Sequence, residues 1–240
     1  MENQEKIPFV TKDMLANLPV PVQRYMSFTG VLGKPWINSV VLKQVGTFRQ
    51  GLDRPWMPMI AKQIYTISPS SFVWDARFKF MNMPLLRARD EYRLGQGRMY
   101  GKLAAIFTIF DIQGEKLDQG AMIRYLSEMI WFPTAFLGEN ITWQAVDSHS
   151  SDVQFVDAGK RVSGRLFFDD VGRPTNFTAK RYREIDGDFS LDAWSTPITG
   201  YGKLAGLNLP IKGQAVWNLQ SGDLMYVDLE IKEIKYNTTG

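Results

Sequence analysis

The sequence predicts a mainly β protein with helices, of the α+β class. Its expected core is a large curved antiparallel sheet or open barrel, enclosing or covered by a long central helix and a short N-terminal helical pair. Three observations predict it. Apolar and polar residues alternate with period two through residues 40–111 and again through 141–236, the pattern of half-buried strands. One long apolar segment, 121–137 (AMIRYLSEMIWFPTAFL), separates the two blocks and reads as a helix. Short turns join the strands without regular βα alternation, which argues against a parallel sheet. Antiparallel strands in this number must curl or close, because a flat sheet leaves its edges unpaired.

Residues 11–30 form the helical N-terminal segment. Leu15, Leu18, Val22, Tyr25, Met26 and Phe28 supply apolar positions, interrupted by Pro19 and Pro21, so short helices are expected at 12–17 and 20–28, ending at Gly30. Arg24 reads as a solvated helix residue. In 40–49, Val40, Leu42, Gln44, Gly46 and Phe48 share one face. A proline-rich loop, GLDRPWMPM, precedes strands at 60–67 and 72–80. In the second of these Phe72, Trp74, Ala76, Phe78 and Phe80 point one way. In 86–94, Arg87, Arg89, Glu91 and Arg93 alternate with Ala88, Asp90, Tyr92 and Leu94; a solvated charged set places Asp90 inward beside Tyr92.

Gly95, Gln96 and Gly97 turn the chain into a strand at 98–111, and 111–118 leads to the central helix, 119–137. Pro133 bends or ends that helix. Strands follow at 141–147, 151–158, 160–169, 174–185, 188–196, 211–219 and 223–236, with a long Gly- and Pro-bearing loop at 197–213. In 175–185, Arg181 shares a face with Phe177 and Ala179. Met225, Val227, Leu229 and Ile231 oppose Tyr226, Asp228 and Glu230. No repeat or low-complexity linker divides the chain, so residues 1–240 read as a single domain.

Composition narrows the function classes. The 28 basic and 25 acidic residues are interspersed, with a net charge of +3 and no block of five like charges, which argues against a nucleic-acid arm. The absence of cysteine excludes disulfides, thiolate chemistry and Cys-based metal sites. The first ten residues, MENQEKIPFV, lack the apolar core of a signal peptide, and no run of 18 apolar residues exists. The expectation is a cytoplasmic chain with no transmembrane segment. The triplets beginning at Asn140, Asn176 and Asn237 read as chance matches to the glycosylation pattern. No cofactor signature appears: Gly95 and Gly97 lack a following helix and a P-loop lysine, and no nucleophile-elbow pattern is present. The lone His149 lies in the polar turn VDSHSSD and reads as a solvated loop residue, so no metal site is expected.

The candidate site begins on the central helix. Arg124, Ser127 and Glu128 fall on one side, extended by Ala121 and Trp131. Arg124 and Glu128 are one turn apart, and either form an ion pair on an exposed strip or look into a cavity. Asp90 and Arg181 are placed inward by strand alternation, either as a structural ion pair or as further polar groups at the base of a pocket. Gln44 can add a hydrogen bond. The aromatic set of Trp74, Trp131, Trp143, Trp194, Trp217, Tyr65, Tyr92 and Tyr125 is either core or the wall of a ligand cavity.

The segments LPVPVQRYM (18–26), VLKQVGTFR (41–49), AKQIYTISPSSFVWDA (61–76), DEYRLGQGRM (90–99), RYLSEMIWFPTAFL (124–137) and ITW (141–143) carry a resemblance, with a late G…LP…W pattern ending at Trp217. Together they resemble an uncharacterised bacterial family of domain-of-unknown-function proteins. The resemblance brings no activity. It implies a fold similar to the lipoprotein-carrier (LolA-like) half-barrel, a sheet wrapped around helices.

Three functions are compatible with these features. The first is binding of a small hydrophobic or amphipathic molecule or lipid, with Arg124, Glu128, Asp90, Arg181 and Gln44 at its polar end and Trp74, Tyr92, Tyr125, Trp131 and Trp217 around its body. The second is a cofactor-independent isomerase, cyclase or hydrolase using Glu128 or Asp90 as general acid or base. The third is a fully packed scaffold that binds a partner protein.

Overall fold

The computed structural model describes residues 7–80, 83–104, 107–185 and 187–238, without the side chains of residues 80 and 83–85. The expected inward Phe80 side chain, the first six residues and positions 105–106 of the expected strand 98–111 lie outside the described residues. Two helices, α1 (Lys12–Ala16) and α2 (Val20–Thr29), open the chain; α2 carries Pro21 in its first turn and ends on Gly30 at φ 70°. Strands β1 (Ser39–Phe48), β2 (Met57–Thr66), β3 (Ser71–Phe80), β4 (Met83–Arg93), β5 (Gln96–Leu103) and β6 (Phe107–Gln113) follow. Helix α3 (Glu115–Glu128) comes next, then two 3-10 turns at Met129–Trp131 and Pro133–Leu137. The second block is β7 (Ile141–Ala145), β8 (Ser150–Asp157), β9 (Lys160–Phe168), β10 (Pro174–Ile185), β11 (Asp188–Ser195), β12 (Ile198–Leu204), β13 (Leu207–Leu219) and β14 (Gly222–Tyr236).

The fourteen strands among the described residues form one antiparallel sheet in the order β6-β5-β4-β3-β2-β1-β14-β13-β11-β10-β9-β8-β7, with β12 paired to β13. The first and last strands, β1 and β14, meet in the middle and join the two sequence blocks. Gly46 sits at this seam, where a Cβ would collide with the Asp228 carbonyl of β14. Helix α3 packs on β4 and β5 from one half and on β9 and β10 from the other. Its buried face, including Met122, Ile123, Tyr125 and Leu126, meets Tyr65, Phe72, Tyr92 and Phe155 of the sheet in one apolar core.

The sheet is curled, because turns far apart in strand order touch. The Lys160 ammonium of β9 donates to the Gly95 carbonyl at 2.9 Å and to Asp118 Oδ2 of α3 at 2.6 Å. Asp118 Oδ1 accepts the Gly97 backbone N–H at 2.7 Å, and the Tyr92 hydroxyl donates to Asp157. Asp118 therefore fastens the β4–β5 turn and the β8–β9 turn to the same helix.

Three expectations are corrected. The strand expected at 98–111 is a hairpin of β5 and β6; its reversal contains Ala104 at φ 50° and no turn-forming Gly, Pro or Asn, so the alternation ran through it unmarked. The loop expected at 197–213 is largely a second hairpin, β12 and β13, turned at Ala205 and Gly206 with φ 49° and 80°. Its glycines and Pro210 diluted the period-two pattern. The central helix expected over 119–137 begins at Glu115 and ends as an α-helix at Glu128. Phe132 leaves the helical region at φ −140° because it precedes Pro133. Among the described residues, no helix is long and apolar enough to cross a membrane.

Asp118→Ala tests the clasp. It orphans the Gly97 N–H, while Lys160, with 42% of its side chain exposed, is rehydrated cheaply. A loss of about 2 kcal/mol is expected in urea unfolding, against less than about 1 kcal/mol for Asp75→Ala, whose partner Arg87 is solvent-exposed.

Candidate functional site

Helix α3 turns Arg124, Ser127 and Glu128 toward the concave face of the sheet, not into solvent: the Arg124 and Glu128 side chains are only 16% and 12% exposed. The Arg124 guanidinium donates from Nε to Glu128 Oε1 at 3.0 Å and from Nη1 to Asp90 Oδ2 at 2.7 Å. It lies 4.8 Å from the Trp74 ring centroid and 5.2 Å from that of Phe72. The other Glu128 oxygen accepts from Gln63 Nε2 at 2.8 Å and from the Tyr65 hydroxyl at 2.9 Å. A relay completes the cluster: Trp74 Nε1 donates to Gln44 Oε1 at 2.9 Å, and Gln44 Nε2 to Gln63 Oε1 at 3.3 Å.

Strand alternation explains this convergence. Gln44, Gln63, Trp74 and Asp90 occupy inward positions on four adjacent strands, β1 to β4, with Gln63 opposite Trp74 and Trp74 opposite Asp90. Burial alone would push the Arg124 pKa down, but the Glu128 and Asp90 carboxylates outweigh it and hold the guanidinium above the ordinary arginine value. Burial, reinforced by the Glu128 charge, holds the Tyr65 phenol well above its ordinary value, so it remains a donor.

The opposite wall carries a second guanidinium. Arg181 of β10 donates from Nε to the Gly120 carbonyl at 3.0 Å and from Nη1 to the Tyr226 hydroxyl at 3.2 Å. It lies 4.7 Å from the Trp194 ring centroid and 5.7 Å from that of Trp217. Arg181 does not pair with Asp90; β3, β2, β1, β14, β13 and β11 lie between their strands.

Between these walls is a cavity of about 200 Å³. Of the residues the sequence singled out, Gln44, Trp74, Asp90, Arg124, Ser127, Glu128, Trp131, Arg181 and Trp194 line it. Tyr92, Tyr125 and Trp217 do not. Tyr125 follows Arg124 by about 100° around the helix, stacks on Phe155 at 5.3 Å and donates to the Thr66 carbonyl at 2.9 Å. Tyr92 is buried against Phe72 at the clasped end. Trp217 sits behind Tyr226, stacked on it at 5.8 Å.

Sequence reasoning missed Gln63 and Tyr226. Gln63 shares the inward face of β2 with Ala61 and Tyr65, so the alternation could have found it. In the alternation Tyr226 falls with Asp228 and Glu230, opposite Met225, Val227 and Leu229. It is the extra residue where Ala215 pairs with Val227 and Val216 with Met225, and it lines the cavity. Nothing in the local sequence marks that bulge.

His149 accompanies a surface arrangement: its ring nitrogens lie 2.8 Å from Ser148 Oγ and 2.8 Å from Asp170 Oδ1. Asp170 is 93% exposed and the His149 side chain half exposed, so the group lies in solvent, as a loop histidine does. Arg24, expected to be solvated, instead donates to the Ser148 carbonyl. Among the described residues, no group of three His, Asp or Glu side chains is placed to hold a metal ion.

A family model described as "Family of unknown function (DUF6544)" matches residues 8–229. The chain belongs to this family. That is the kind of family the sequence resembled. No curated protein matches the chain. Among solved structures, a LolA superfamily protein from Nitrosomonas europaea is similar, with TM-score 0.48 and 8% identity over 92% of this chain and 93% of that one. A DUF1329 family protein from Desulfovibrio piger is similar with TM-score 0.42 and 10% identity, over 96% of this chain and 94% of that one.

Replacing Arg124 by methionine leaves Glu128 and Asp90 facing each other without a cation. A loss of about 3–5 kcal/mol is expected at neutral pH. Urea unfolding of the two proteins at neutral pH checks this; a loss below about 1 kcal/mol contradicts it.

Proposed function

We propose that this protein binds a small hydrophobic or amphipathic molecule, or the apolar part of a lipid, between α3 and the concave face of its sheet. The observation that carries the reading is the cavity itself. Protein interiors are close-packed, with few voids larger than a water molecule. A void of about 200 Å³ left dry would cost up to about 5 kcal/mol at ~24 cal/mol per Å³, and less where water enters its mouth. Trp131, Ile130, Trp194 and Ile198 supply apolar wall, and a few convergent polar groups stand at either side. That combination is typical of small-molecule sites. Arg124, Glu128, Asp90 and Gln44 act here as a fixed polar boundary.

A catalytic role on the same scaffold would fall to Asp90. Its Oδ2 is held by Arg124, whereas Oδ1 has no hydrogen-bond partner among the described residues. Both Glu128 oxygens are already engaged. This second reading predicts chemical change in a guest recovered from wild type and none in one recovered from Asp90→Asn.

The binding reading is tested with the neutral fluorescent probe N-phenyl-naphthylamine and the variant Ala215→Trp, whose indole would occupy the cavity. Wild type is expected to raise probe emission saturably. The variant, melting as wild type does, should bind at least about tenfold more weakly. Equal binding by both proteins would contradict the assignment.

A further inference from the structure

We infer that the molecule held in the cavity is an amphipathic oxyanion, an apolar body ending in a carboxylate or phosphate, and that Arg181 is the residue that reads its charged end. This rests on the binding reading above and names the ligand class for the same site.

The cavity has two guanidinium groups in opposite states. Arg124 is saturated by Glu128 and Asp90, so it has no charge to offer a guest. Arg181 has no carboxylate within 4 Å among the described residues. Its two protein acceptors, the Gly120 carbonyl and the Tyr226 hydroxyl, are neutral, and they occupy two of its five N–H donors. A part-buried cation in an apolar wall normally has an anionic partner. The Trp194 and Trp217 rings hold the guanidinium plane, which pre-organises its fork for two-point binding of an oxyanion. Thr196, two residues beyond Trp194, also lines the cavity. Across the cavity, two carboxyl groups share the single Arg124 guanidinium, which disfavours an anion at that end. The ligand is therefore oriented, with its oxyanion at Arg181 and its apolar body along Ile130, Trp131 and Ile198.

Titration calorimetry at neutral pH with octanoate, octyl phosphate and octanol tests this on wild type, Arg181→Gln and Arg181→Lys. At least one anion is expected to bind wild type about tenfold or more tighter than the alcohol. Which anion does so distinguishes carboxylate from phosphate. Arg181→Gln should bind the alcohol as wild type does and lose the preference; Arg181→Lys, which keeps the charge without the fork, should fall between. If Arg181→Gln does not fold, the wild-type preference and its reduction in Arg181→Lys decide. Equal binding of anions and alcohol by wild type overturns this inference and leaves the binding reading standing. A preference that survives in Arg181→Gln overturns the assignment of Arg181. Binding of none of the three overturns the binding reading and this inference with it.

Discussion

The guanidinium of Arg124, gripped by Glu128 on its own helix and Asp90 on β4, is the contact on which the hollow depends. Ionic groups removed from water must keep their partners, because an unpaired buried charge costs several kcal/mol. Arg124, Glu128, Asp90, Gln63, Tyr65, Gln44 and Trp74 are joined by directional bonds, so none can swing into the adjacent space without breaking one. Apolar side chains of similar volume would be as stable or more so, but they would be free to collapse. The ionic cluster holds α3 at a set distance from β1 to β4 and keeps a volume open beside it.

The sheet supplies the other half of that arrangement. Its strands pair continuously from β6 to β7, with β1 and β14 at the centre. Because the sheet curls, its two halves both reach α3, and the Asp118 clasp ties the helix to turns from each. Aromatic side chains fill the clasped end, where Tyr65, Tyr125, Phe132 and Phe155 pack ring to ring. The filling stops at Trp131 and Ile130, and the cavity begins there. The concave face is thus densely packed at one end and hollow at the other.

Much of this was legible from periodicity. The period of two put Gln44, Trp74, Asp90 and Arg181 on inward faces, and the period of 3.6 put Arg124, Ser127, Glu128 and Trp131 on one stripe. What the pattern could not say was which partners meet. Arg124 and Asp90 are brought together only by packing α3 on β4, and of the two readings open for Asp90 and Arg181 the ion pair fails because their strands lie far apart in the sheet. Irregularities were also invisible: the bulge that turns Tyr226 inward, the Ala104 reversal between β5 and β6, and the glycine-diluted hairpin of β12 and β13. Each depends on a positive φ or an extra residue that tertiary contacts stabilise and local sequence does not announce.

The space beside Arg124 is proposed to hold a small apolar-bodied molecule in the cell. Native mass spectrometry of the protein, purified without detergent from the cells that make it, decides the matter. A discrete adduct of one small molecule per chain is predicted, released by organic solvent. A bare chain at every purification step, with the cavity filled only by water, would contradict it.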